Sequence, residues 1–109
     1  MQHKDLTGNR WYALSKVAQL ANIGSEVERA INWKKKGNEE YANLAHLRAL
    51  ELFDLTLGDH RYGKGLKEVA RARELWLDYF VGNNQYLQTE EQWKKYFLAF
   101  ALASRITRS

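Results

Sequence analysis

The chain has 109 residues, of which 45% are hydrophobic and 13% aromatic, carries a net charge of +4, and contains neither cysteine nor proline. That length holds one domain with one core. The missing cysteines exclude disulfides, thiolate metal sites and cysteine nucleophiles, and the missing prolines suit long uninterrupted helices. No apolar run approaches the length of a membrane span, and residues 1–9 read as a polar tail without an apolar signal region. The expectation is a cytoplasmic, all-α protein without membrane or cofactor, with one helical-bundle domain over residues 10–109.

The first predicted helix spans residues 10–36. Its seam, Ala13, Val17, Leu20, Gly24, Val27 and Ile31, alternates four and three apart, the spacing that turns one narrow face toward packed neighbours. A glycine inside a helix costs about 1 kcal/mol relative to alanine, so Gly24 marks a place where another backbone comes close. Asn9 is the expected N-cap, and Gly37 follows three lysines as a natural C′ residue. At about 1.5 Å per residue the helix is near 40 Å long and overhangs its partners, with Trp11, Tyr12 and Trp33 at its ends.

The second helix spans residues 39–57, capped by Asn38 and closed by Gly58. Its stripe begins with the small residues Ala42, Ala45 and Ala49, which predict close packing against Gly24 of the first helix. Leu44, Leu47, Leu50, Leu55 and Leu57 widen its apolar surface beyond one stripe, which suits cover on two sides, for instance by a second subunit. Residues 59–65, with two glycines and exposed charge, read as a flexible connection. A third helix over residues 65–81 carries Val69, Ala72, Leu75, Trp76 and Phe80. Thr89-Glu90-Glu91-Gln92 is a capping box that opens the fourth, over residues 90–105, with Trp93, Tyr96, Phe97 and Phe100. The fold class that follows is an antiparallel up-down four-helix bundle.

Charge falls in blocks of alternating sign. Residues 1–37 hold seven Lys/Arg against three acids and residues 38–59 one against five. Residues 61–73 hold five against one, residues 74–92 four acids and no base, and residues 93–109 four bases and no acid. Neighbouring helices of opposite sign attract, each exposed pair contributing well under about 1 kcal/mol. Two groups stand out. Arg48, Glu51, Asp54, Arg73, Glu74 and Asp78 form a charge network expected to be structural, since no nucleophile or metal motif accompanies it. Arg61, Lys64, Lys67, Arg71, Lys94 and Lys95 are the basic positions suited to phosphate contact, with Tyr62 or Tyr86 as rings on which bases stack.

Histidine does not announce a metal or a catalytic base. Neither a Glu-x-x-His nor a His-x-x-x-His pattern is present, and His46 reads as a partly buried residue with one hydrogen bond. Gly63-Lys64-Gly65 lacks the spacing of a phosphate loop. In helix count and length the chain resembles small prokaryotic four-helix-bundle proteins, including those that accompany reverse transcriptases and the HEPN domains of toxin–antitoxin systems. HEPN ribonucleases carry an Arg, four to six residues and then a His; here eleven residues separate Arg48 from His60, so the resemblance does not extend to that activity. The function expected is a non-enzymatic interaction or scaffold protein that self-associates or docks on a macromolecular partner. The alternative is a nucleic-acid-associated accessory such as a reverse-transcriptase or toxin–antitoxin component.

Overall fold

The structure is a computed structural model that describes residues 8–107, with side chains over residues 10–106; the predicted tail up to residue 7 and the basic Arg108 lie outside the described residues. All regular structure in it is helical: α1 Gly8–Tyr12, α2 Lys16–Lys35, α3 Glu39–Leu57, a 3₁₀ segment His60–Gly65, α4 Leu66–Phe80 and α5 Glu90–Thr107. Among these helices none is long and apolar enough to cross a membrane.

The predicted first helix is two helices. Asn9 falls inside α1 rather than capping a longer helix, and residues 13–15 break the chain before α2 restarts. The break has a local cause. Ser15 is extended (φ −66°, ψ 161°), and its hydroxyl accepts a hydrogen bond from the Ala18 amide at 3.0 Å. A serine N-cap satisfies an orphan donor that an uninterrupted helix would not have. α1 therefore folds back, and Trp11 is fully buried with its indole nitrogen donating to Thr56 Oγ1 at 2.9 Å. The longest dimension of the described residues is 35 Å and α2 has 20 residues, so the predicted helix near 40 Å long is absent.

The other boundaries follow their chemical signals. At the end of α2, the Gly37 amide donates to Lys34 O and the Asn38 amide to Trp33 O, both at 3.0 Å, with Gly37 at φ +81°. That is a Schellman ending, which favours glycine at C′. Asn38 caps α3 by accepting from the Tyr41 amide at 3.0 Å. The Thr89–Gln92 box is reciprocal: the Gln92 amide donates to Thr89 Oγ1 and the Thr89 amide to Gln92 Oε1 at 2.8 Å.

α2 is the central element. It packs along α3 on one side and α5 on the other, while α3 also contacts α4. Ala42, Ala45 and Ala49 are sealed within the core and allow α3 to lie close. Gly24, however, faces α5 rather than α3: a methyl group built there would lie 2.5 Å from Phe97 Cβ. The expected Gly24–Ala45–Ala49 meeting is thus two separate close approaches on two sides of α2. α4 and α5 differ from the rest, because rings rather than backbones join them: Trp76 on α4 meets Trp93 on α5 edge-on with centroids 5.6 Å apart.

Candidate functional site

The predicted charge network resolves into separate pairs. Arg48 reaches back to Glu26 on α2, whose carboxylate also accepts from Arg29 at 3.0 Å. Arg73 bonds Asp54 across α4 and α3 at 2.9 Å. Asp78 pairs with no cation among the described residues; its two oxygens accept from the Gln85 and Tyr86 amides and pin the turn after α4. Glu51 and Glu74 form no ion pair among the described residues. None of the six lines the cleft between α4 and α5.

The predicted phosphate-contact set divides as well. Arg61 turns inward, its guanidinium forked on the Asp59 carboxylate and donating to Leu14 O at 2.7 Å. Lys94 and Lys35 share Glu90, at 2.7 and 2.9 Å. Those two hydrogen bonds hold the Glu90 carboxyl below its ordinary range. Lys64, Lys67, Arg71 and Lys95 are exposed and make no ion pair among the described residues.

Residues 59–65 are no loose connection. Asp59 is buried, caps the 3₁₀ segment through the Arg61 amide, and accepts from Gln19 Nε2 at 3.0 Å. Gln19, itself fully buried, also donates to Trp11 O, and the Tyr62 hydroxyl donates toward Gln19 Oε1 at 3.2 Å. Hydrogen bonding from Arg61 holds the Asp59 carboxyl well below the usual carboxylate range, and burial pushes the Tyr62 phenol up to about 12. This clasp ties α1, α2 and the 3₁₀ segment together with its buried polar groups satisfied, as burial requires. His46 is similarly spent: its Nδ1 accepts from Trp76 Nε1 at 3.0 Å, its ring stacks on Phe80, and burial lowers its pKa.

Two surfaces remain unspent. The first consists of the outer faces of α3 and α5. On α3, Leu44 and Leu47 are 40% and 53% exposed, between Glu40 and Glu51. On α5, Leu98 and Leu102 are 54% and 47% exposed, between Lys95 and Arg105. Each run places its residues three or four apart, hence on one face. The charged ends stand about 16 Å apart on α3 and about 15 Å apart on α5 at about 1.5 Å rise per residue. The α5 leucines were missed in sequence because they stand off the Trp93–Phe97 stripe; their own spacing of four was the available signal.

The second surface is a cleft of ≈ 510 Å³ between α4 and α5. Trp76 meets Trp93 edge-on between these helices, and one turn earlier on α4 the small Ala72 lines the cleft. Leu75, Trp93 and Tyr96 complete its apolar wall, with Lys67 and Arg71 on the rim. The Tyr96 hydroxyl bonds Glu68 at 3.1 Å and closes one end as a crossbar between the helices. Burial, then the Glu68 charge, raise the Tyr96 pKa, so the phenol remains a donor. Trp93 is buried, yet its indole N–H is the one buried side-chain donor without an acceptor among the described residues.

No family model matches the chain, and neither does any curated protein or solved structure.

Proposed function

We propose that the four long helices form an up-down four-helix bundle and that the protein is a non-enzymatic interaction module whose first partner is a second copy of itself. The carrying observation is the matched pair of faces: Glu40, Leu44, Leu47, Glu51 on α3 and Lys95, Leu98, Leu102, Arg105 on α5. Acids flank two exposed leucines on one, bases flank two on the other, at nearly equal span. Laid antiparallel or parallel, the leucines bury one another and each charged end meets its opposite. α3 and α5 are different surfaces of one chain, so a single such contact is heterologous and leaves the α5 face free on one copy and the α3 face free on the other.

Sedimentation velocity at micromolar concentration tests this reading. The expected result is a mass above the 12.8 kDa chain, reduced to a single chain by Leu98→Asp with Leu102→Asp while helicity is kept. A single chain at every concentration would refute it.

A second reading, a nucleic-acid-associated accessory, draws on Lys64, Lys67 and Arg71, which share one exposed edge and pair with no acid among the described residues. Phosphate contacts would show as RNA or DNA binding that falls steeply with salt, whereas a leucine-centred contact between copies would persist.

A further inference from the structure

We propose that the α4/α5 cleft is a binding site for a compact amphipathic anion, an aromatic monocarboxylate of one or two rings. The proposal is independent of self-association, because none of the cleft residues belongs to the two outer faces.

Size and closure select the kind of occupant. The ≈ 510 Å³ cleft lies within the range of small-molecule sites. It is bounded by the Tyr96–Glu68 crossbar at one end and by Gln88, in the turn before α5, at the other. From Glu68 to Leu75 is seven residues, about 10 Å of helix. A peptide helix laid along the cleft would run into both ends; one or two fused rings would fit between them.

Chemistry selects the charge. The wall is Ala72, Leu75, Trp93 and Tyr96, which suits a flat apolar body packed against rings. Lys67 and Arg71 stand one turn apart on the rim and neither pairs with an acid among the described residues, while Glu68, the one acid lining the cleft, already accepts from Tyr96. The local balance therefore favours an anion at the rim. Trp93, whose buried indole N–H has no acceptor among the described residues, lines this cleft and the α2/α5 cavity alike, so its resonance reports on an occupant without being counted as a ligand group. The Gln92 side-chain oxygen is consumed by the capping box, which leaves its NH₂ to donate.

The test is titration of the full chain with 2-naphthoate and, separately, with neutral 2-naphthol, followed by calorimetry and by the Trp93 indole N–H resonance, assigned through Trp93→Phe. The expected result is saturable naphthoate binding that shifts the Trp93 resonance, with naphthol roughly tenfold weaker or more. Lys67→Met with Arg71→Met should bring naphthoate down to the naphthol level, and Ala72→Leu should abolish both, neither variant melting below the wild type. The proposal is overturned if naphthoate at millimolar concentration leaves the Trp93 resonance in place. It is equally overturned if naphthol binds as well as naphthoate, or if Ala72→Leu binds as the wild type does.

Discussion

The two sides of α5 are built on opposite plans. Toward α2, Gly24 lets the Phe97 ring rest against the backbone, leaving no room for even a methyl group. Toward α4, rings hold the helices apart and a cleft remains beside Ala72. The same contrast holds for polar groups. At the α1–α2 end, Gln19, Asp59, Thr56 and Trp11 satisfy one another in the interior. Beside the cleft, the buried Trp93 N–H goes unmet. The α2 side is in close contact at Gly24, with a smaller cavity of ≈ 240 Å³ beside it, and the α4 side holds the larger one of ≈ 510 Å³.

Substitutions can break or sharpen that contrast. The largest effect belongs to the closed side: Gly24→Leu should destabilise by about 3 kcal/mol or more through overpacking against Phe97, read by urea denaturation. Unchanged stability would mean that α5 does not lie on α2 as described. The converse change on the open side, Ala72→Leu, places its extra carbons in the cleft and should leave stability level or raise it by up to about 1 kcal/mol.

The clasp comes next. Asp59→Ala strands Gln19 and Arg61 and should cost about 2–3 kcal/mol, since Asp59 is buried although Arg61 is largely solvated. It should also change the acid limb of stability. The folded Asp59 carboxyl lies below its ordinary value of 3.8, so the unfolded chain takes up a proton there first; the stabilisation is full above about pH 4 and is lost below it. His46 acts earlier in the descent. Its folded pKa is lowered from 6.5, so the unfolded chain binds a proton that the folded chain refuses, and stability begins to fall below about pH 6.5. Stability measured from pH 8 to pH 3 should therefore fall in two stages, with Asp59→Ala reducing the lower one, to which Glu90 also contributes. A stability level from pH 7 to pH 5 would contradict the buried, neutral His46.

The smallest effect is Tyr96→Phe, which removes only the crossbar to Glu68 and should cost under about 1 kcal/mol because that bond is partly solvated. A cost of several kcal/mol would make the crossbar a structural tie and move the cleft into the closed half of the contrast.

Much of this was legible in the residues. Asn38, Gly37 and the Thr89–Gln92 box mark helix ends through short-range chemistry, and all three act as their types dictate. Ser15 carried the same kind of signal, but the seam running through Ala13 and Val17 matched an unbroken helix equally well, and spacing cannot reveal that the cap prevails. Gly24 announced a close approach without saying which neighbour makes it. Asp59 looked like a loop charge because its burial depends on Gln19, forty residues away in the chain. The cleft depends on how α4 and α5 stand against each other, and only the packed structure contains that relation. The charge blocks were visible from the start, yet the pairing of leucines with flanking charges on α3 and α5 emerged only once exposure separated Leu98 and Leu102 from the core rings.

Charge reversal across the two outer faces tests the central claim most directly, with sedimentation velocity as the readout. Glu40→Lys with Glu51→Lys should dissociate the protein to single chains by setting base against base, and adding Lys95→Glu with Arg105→Glu should restore the assembly with the polarity inverted. A fourfold variant that stays dissociated, or a first pair that changes nothing, would contradict the meeting of α3 with α5.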